Sequence, residues 1–222
     1  MDFYPGGRVK GQGRQGAPSD ALSAHQQLQA EYARALARAD GQEHQAQTLF
    51  AMSQAVTVAM DPDDLRQSIV DSLYDALRAD TTSLFLRETD GHLRMVAQRN
   101  IDITRARIIF GPDEGLVALA AHKHKLVHVP DTNNNTHYVP TGYDPPRSLL
   151  AVPVEPQSGP AYVLCVVRRR VYAFTDDELQ FANLIGSVAA QALSNAALYR
   201  EMHALAREQA TLHDLMRAAT LS

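Results

Sequence analysis

Cysteine is almost missing. Among 222 residues only Cys165 is present, which excludes an internal disulfide and a thiolate cluster for structural zinc, and fits a reducing, cytoplasmic setting. Long hydrophobic runs are missing as well: no stretch approaches the ~20 apolar residues that span a bilayer. The N-terminal MDFYPGGRVKGQG lacks the apolar core of a signal peptide, so no membrane is expected among the partners. A surplus of positive charge is also lacking; a net charge of −4 offers no general attraction to nucleic acid, which is not expected as a partner either. What is there is enough apolar material, 45% of residues, to build a real core.

Residues 1–19 are rich in Gly, Gln and basic side chains without apolar periodicity, and are expected to form a flexible tail. They contain Gly11-Gln12-Gly13-Arg14-Gln15-Gly16, a literal GxGxxG. No strand can precede it, so the dinucleotide fingerprint is set aside as chance. Residues 20–60 are dominated by good helix formers and carry small apolar residues in a heptad frame, the pattern of a weak coiled coil that would serve signalling or dimerisation. Asp61-Pro62-Asp63-Asp64 starts a new helix, whose apolar face is Leu65, Ile69, Leu73 and Leu77.

The period then changes. TSLFLRE (82–88) and HLRMVAQ (92–98) read as strands joined at Thr89-Asp90-Gly91, ARIIF (106–110) as a third, and residues 125–129 as a fourth ended by Pro130. A short helix from Gly115 to Ala121 lies between the last two. A polar connection runs from Asp131 to Arg147, and two apolar strands follow, 148–155 and 161–168, forming a hairpin near the sheet centre. Phe174-Thr175-Asp176-Asp177-Glu178-Leu179 has the spacing of a capping box inside a hydrophobic staple. The helix it opens has two apolar stripes. Leu179, Ala182, Ile185, Gly186, Ala189 and Leu193 suit a sheet; Phe181, Leu184, Val188, Leu198, Met202, Leu205, Leu212 and Met216 suit a partner helix. A homodimer is therefore expected, with Leu198, Met202, Leu205, Leu212 and Met216 at its seam.

Three histidines, His122, His124 and His128, fall within seven residues. As a strand the segment would hold the outer two roughly 20 Å apart, and Leu126 to Pro130 opposes a helix, so no metal site is expected. DTNNN (131–135) begins like a calcium loop, but Thr136 stands where Gly is needed and Gly142 where Glu belongs. The 131–147 connection reads instead as a turn-rich lid. Its length exceeds that of ordinary loops, and His137, Tyr138, Tyr143 and Arg147 are its candidate ligand contacts, with Phe85 or His128 on a strand floor beneath. Arg168-Arg169-Arg170 reads as a solvated edge beside a helix terminus. Nucleophile elbow, Walker loop and paired catalytic carboxylates are all absent at usable spacing, so catalysis is not expected.

GPDEGLVALAAHKHKLVHVPD, SLLAVPV and VLCVVRRRVYAFTDDELQFANLIGSVAAQALSNAALY, in this order and spacing, resemble the GAF domain family of sensory modules. The resemblance spans about Leu49 to Tyr199. It implies an α+β fold with a central antiparallel sheet, helices on both faces, a small-molecule pocket roofed by the loop before the central strands, and parallel dimers joined through long flanking helices. The expected division is a tail (1–19), an N-terminal helix (20–60), a GAF-like core (61–175) and a C-terminal helix (176–222). The cyclic-nucleotide members carry an Asn-Lys pair and a Phe separated from Asp-Glu by three residues; here only two residues separate Phe174 from Asp177-Glu178, and the pair is missing. Bilin-binding relatives use a pocket cysteine, whereas Cys165 lies in an apolar run, and free methionine sulfoxide reductases of this fold need several cysteines. The expectation is a non-catalytic bacterial sensory domain without cofactor, responding to an unknown small molecule or partner and feeding a histidine kinase or diguanylate cyclase. The alternatives are a ligand-free dimerisation scaffold or adaptor and, third, an enzyme on the GAF fold.

Overall fold

In the computed structural model, which describes residues 61–140 and 147–220 and side chains as far as 209, Asp61 caps helix α1 (Pro62–Ala76). Its carboxylate accepts the Asp63 N–H at 2.8 Å, and proline sits in the first turn where no amide donor is missed. The expected tail, the helix expected over 20–60, and Tyr143 lie outside the described residues. Leu65, Ile69, Val70 and Leu73 are buried along α1.

Six strands follow: β1 (Thr81–Arg87), β2 (Leu93–Arg99), β3 (Ile109–Phe110), β4 (Val127–Val129), β5 (Ser148–Val154) and β6 (Tyr162–Arg168). They form one sheet in the order β3-β2-β1-β6-β5-β4, every neighbouring pair antiparallel. The β1–β2 turn closes through Gly91, whose φ of +88° suits a residue without Cβ. The strand expected over 106–110 pairs with β2 only at its last two residues. Before it, Asp102 draws in the Thr104 amide and hydroxyl as a turn, and Arg107 leaves the ladder to grip Glu114. Helix α2 (Gly115–Lys123) connects β3 to β4, and α3 runs unbroken from Asp176 to Thr220.

Strand alternation builds two cores. Leu84, Leu150, Val152, Leu164 and Val166 point to the side covered by α1 and α3; Phe85, Leu149, Ala151, Val163 and Cys165 point to the side covered by α2. A bulge in β2 between the Leu84–Ala97 and Phe85–Met95 pairs keeps Met95 opposite Phe85 on the α2 side. On α3 the expected sheet stripe is buried, Ala182, Ile185 and Ala189 completely. A Cβ on Gly186 would lie 2.7 Å from Val152 Cγ1 and 3.3 Å from the Pro153 carbonyl, so glycine is what lets α3 lie this close to β5. Phe181, expected on the partner-facing stripe, is instead buried in the α1/α3 core. Leu198, Met202 and Leu205 are 44%, 68% and 54% exposed.

The start of α3 shows the capping box: the Glu178 N–H donates to Thr175 Oγ1 at 3.3 Å, and the Thr175 N–H donates to Glu178 Oε2 at 2.8 Å. Glu178 has a second role that corrects the reading of the triple arginine. Arg168 is not a solvated edge residue; it is 5% exposed. Its guanidinium donates to the Leu77 and Ala173 carbonyls, pairs with Glu178 Oε1 at 2.6 Å, and stacks 4.5 Å above the Phe174 ring. One buried side chain thus ties the end of α1, the last strand and the first turn of α3 together.

Candidate functional site

On the α2 side the sheet does not pack solidly. A cavity of about 90 Å³ lies between the strands, α2 and the segment after β4, with Phe85, Met95, Phe110, Leu116, Leu149 and Val167 among its apolar walls. Its polar lining is Asp80, Thr81, Ser83, Arg107, Tyr138, Cys165 and Arg169. Apolar walls with a few placed polar groups are what a small-molecule site requires. A second concavity, bounded by His124, Glu155, Asn183 and Gln191 on α3, is open and polar and lacks those walls.

Each polar group has a physical setting. Ser83 and Cys165 face each other directly across β1 and β6; the Ser83 hydroxyl favours the ionised thiol, but burial outweighs it and pushes the thiol up to about 12, so it stays protonated. Burial likewise raises the Tyr138 phenol to about 12, with the nearby Cys165 sulfur adding to the effect, and its buried oxygen has no hydrogen-bond partner. Arg107 forks onto both Glu114 carboxylate oxygens, donates through Nε to the Ile109 carbonyl at 2.9 Å, and lies 5.1 Å from the Phe110 ring centre. Backbone donation from Gly111, with the Arg107 bonds, lowers the Glu114 carboxyl below its ordinary value. At the open end Asp80 accepts the Arg169 N–H at 2.8 Å.

The lid over this cavity is a series of side-chain turns. Asp131 accepts the Asn133 N–H at 3.0 Å and the Asn134 amide at 2.9 Å, a 3₁₀ turn spans Thr132–Asn134, and Asn135 Oδ1 accepts the His137 N–H at 2.9 Å. The calcium-like DTNNN is therefore spent on its own backbone. Among the described residues no three His, Cys, Asp or Glu side chains converge as a metal site would need. The three clustered histidines diverge. His122 bonds the Pro112 carbonyl, His124 ends α2 in a left-handed conformation and pairs with Glu155, and His128 lies on β4.

Of the expected ligand contacts, Phe85 and Tyr138 line the cavity. His128 does not: it pairs with Leu150, whose side chain is on the helix side, and its ring meets Phe174 edge-on at 6.1 Å. Strand parity places Val127 and Val129, not His128, on the pocket side. His137 is exposed beside its turn and Arg147 is exposed at the start of β5; neither lines the cavity. Among the cavity-lining residues that sequence reasoning missed are Ser83, Cys165, Met95, Phe110, Leu149 and Val139, with Arg107 and the rim residues Asp80 and Arg169. Ser83 stands two residues from Phe85 on the same strand face, so alternation alone pointed to it; Cys165 follows only once the β1–β6 register is known.

His128 has a consequence for stability instead. Burial lowers its pKa below the ordinary imidazole value, opposed in part by Asp176. A histidine that resists protonation in the fold stabilises it above the unfolded-state pKa of ~6.5 and loses that contribution as pH falls. Stability should therefore decline from pH 7 to pH 5, and His128→Phe, which keeps a ring against Phe174, should decline less. Parallel pH profiles for the two proteins in urea unfolding would show that His128 contributes nothing to the slope.

The GAF domain family matches residues 59–194 of the chain. No curated protein sequence matches it. Among solved structures, the GAF domain of a phosphoenolpyruvate-protein phosphotransferase from Coxiella burnetii is 19% identical and superposes with a TM-score of 0.62, covering 72% of this chain and 98% of the other. The corresponding domain from Acinetobacter is 19% identical at a TM-score of 0.61, covering 68% and 93%. The free methionine-R-sulfoxide reductase of Neisseria meningitidis, solved with its substrate, is 14% identical at a TM-score of 0.61, covering 68% and 89%. Regulatory domains and enzymes thus share this fold, and the likeness at such identities is one of fold. With the six-stranded antiparallel sheet, the α2-side cavity and a family match over more than half its length, this chain belongs to the GAF domain family.

Proposed function

We propose that the chain is a non-catalytic sensory domain in which a small molecule occupies the α2-side cavity and biases the arrangement of α3 in a homodimer. The observation that carries this reading is the apolar cavity under the 131–140 lid, where the Tyr138 hydroxyl is buried without a partner. A buried polar group left unmatched costs roughly 1–3 kcal/mol, and a ligand would recover that cost. The route outward is short. Arg169 and Asp80 at the cavity rim are chain neighbours of Arg168 and of the end of α1, and Arg168 holds the first turn of α3 through Glu178. Transmission requires that the ligand bind two helix arrangements unequally.

The reductase-like neighbours raise catalysis as the competing reading. Thiol redox chemistry begins with a thiolate, and the single cysteine of this chain is buried with its thiol held protonated, which supports the non-catalytic reading. A dimerisation scaffold with an idle cavity is the other competitor. A cytoplasmic signalling protein ending in a kinase or cyclase output would use the long α3 as its lever, with residues 20–60 as the matching N-terminal helix. No helix among the described residues is long and apolar enough to cross a membrane.

A fragment screen by two-dimensional NMR on the full chain tests the reading. Perturbed amides should gather at Ser83, Phe85, Tyr138 and Cys165. Perturbations confined to the exposed side of α3, or none at all, would favour the scaffold.

A further inference from the structure

We infer that the cavity selects a neutral molecule of single-ring size, seated against Phe85 and Phe110, whose one hydrogen-bond acceptor meets the Tyr138 hydroxyl. This rests on reading the cavity as a ligand site and adds the class of ligand. Size comes first. About 90 Å³ gives room for roughly six to nine non-hydrogen atoms, at ~10–15 Å³ for each water-sized sphere.

Shape comes from the two phenylalanines. Phe85 and Phe110 meet edge to face, ring centres 5.5 Å apart and planes at 76°, so the wall presents both a ring face and a ring edge. A third ring can add to such a pair in the offset or edge-on geometry that aromatic groups favour.

Charge is decided by which polar groups are already engaged. Ser83 and Cys165 face each other on the floor, and both are neutral. Arg107 has its Nε on the Ile109 carbonyl and both terminal nitrogens on Glu114. At the rim the Asp80 carboxylate, which accepts the main-chain N–H of Arg169, sets a negative charge beside that arginine's positive one. An anionic ligand would have to break the Arg107–Glu114 pair or remain an unpaired charge among apolar walls, and burying an unpaired charge is prohibitive. The unmatched group is the Tyr138 hydroxyl, buried and lacking any partner. Burial keeps it protonated, so it is a neutral donor that calls for a carbonyl, ether or hydroxyl oxygen.

Three probes of nearly equal size separate the requirements: acetophenone has a ring and a neutral acceptor, cumene has the shape without the acceptor, and benzoate carries the charge. In NMR titrations of the full chain, acetophenone should bind at the cavity amides, cumene several-fold more weakly, and benzoate at least tenfold more weakly. Tyr138→Phe removes only the hydroxyl and is expected to fold normally. It should bring acetophenone down to the cumene level and leave cumene unchanged. Benzoate binding as tightly as acetophenone, or an acetophenone preference that survives Tyr138→Phe, would overturn the ligand class while leaving the cavity as a site. Failure of all three probes also overturns the class. If the broader screen still places other molecules at the same amides, the sensory reading stands; silence there throughout defeats both.

Discussion

Arg168→Met is expected to lower the stability of the domain by ~3–5 kcal/mol, the usual cost of removing one partner from a buried ion pair. The methionine keeps most of the volume but leaves the Glu178 carboxylate, the Leu77 carbonyl and the Ala173 carbonyl without their shared donor. Burial raises the Glu178 pKa, yet the Arg168 and Thr175 bonds outweigh it and the carboxyl ends below its ordinary value. The sign follows. A depressed carboxyl stabilises the fold above its unfolded pKa, and the contribution disappears as pH falls through the lower folded value. Wild type should therefore weaken below about pH 4.5, whereas Arg168→Met, in which the carboxyl has lost its counter-charge, should lose less on acidification. Adding Glu178→Gln to Arg168→Met should recover part of the loss, because the stranded charge is gone. Urea unfolding at pH 7 and pH 4 checks all three; a loss below ~1 kcal/mol would mean that the pair behaves like a solvated one.

The second large effect is on association. Leu198, Met202 and Leu205 recur at helical spacing on α3 and are exposed in the single chain, as a seam between two copies would be. Leu212 and Met216 continue the same frame. We propose that this stripe is covered by the second copy. Leu198→Asp and Leu205→Asp would each place a charge in the apolar seam, at a cost of at least ~3 kcal/mol, a hundredfold or more in dimer affinity. Analytical ultracentrifugation should show a monomer whose circular dichroism still reports a folded sheet domain. A dimer of unchanged affinity would remove α3 from the interface.

How much of this was legible in the sequence depended on whether the signal was local. The α3 start was readable because Phe174, Thr175, Glu178 and Leu179 interact within one turn. Strands and helices were readable from period, and the lid from its length. The largest differences needed pairing between distant segments. Arg168 looked solvated because nothing nearby in the chain reveals that the Leu77 carbonyl, 91 residues away, sits beside it. His128 was placed on the pocket floor, but the β4–β5 register turns it to the helix side, and a register shift of one residue exchanges every side chain between faces. In sequence Cys165 shows only an apolar run around it. It is buried, yet it is also pocket lining, since it lies opposite Ser83. Tyr138 and Phe85, singled out by type and position, line the cavity; Arg147 and His137 are exposed where the chain turns outward.

If occupancy of the α2-side cavity is felt by α3, hydrogen exchange of the chain with and without a cavity-binding molecule will show it. Exchange should slow at Asn133 to Val139 in the lid and change in the first turns of α3 from Asp176 to Ile185, where Arg168 and Glu178 join the two regions. In the Arg168→Met protein the lid should still respond and α3 should not. A lid that slows while α3 in the wild type is unmoved, or an α3 response without any in the lid, would contradict the coupling and leave the chain as a dimerisation scaffold.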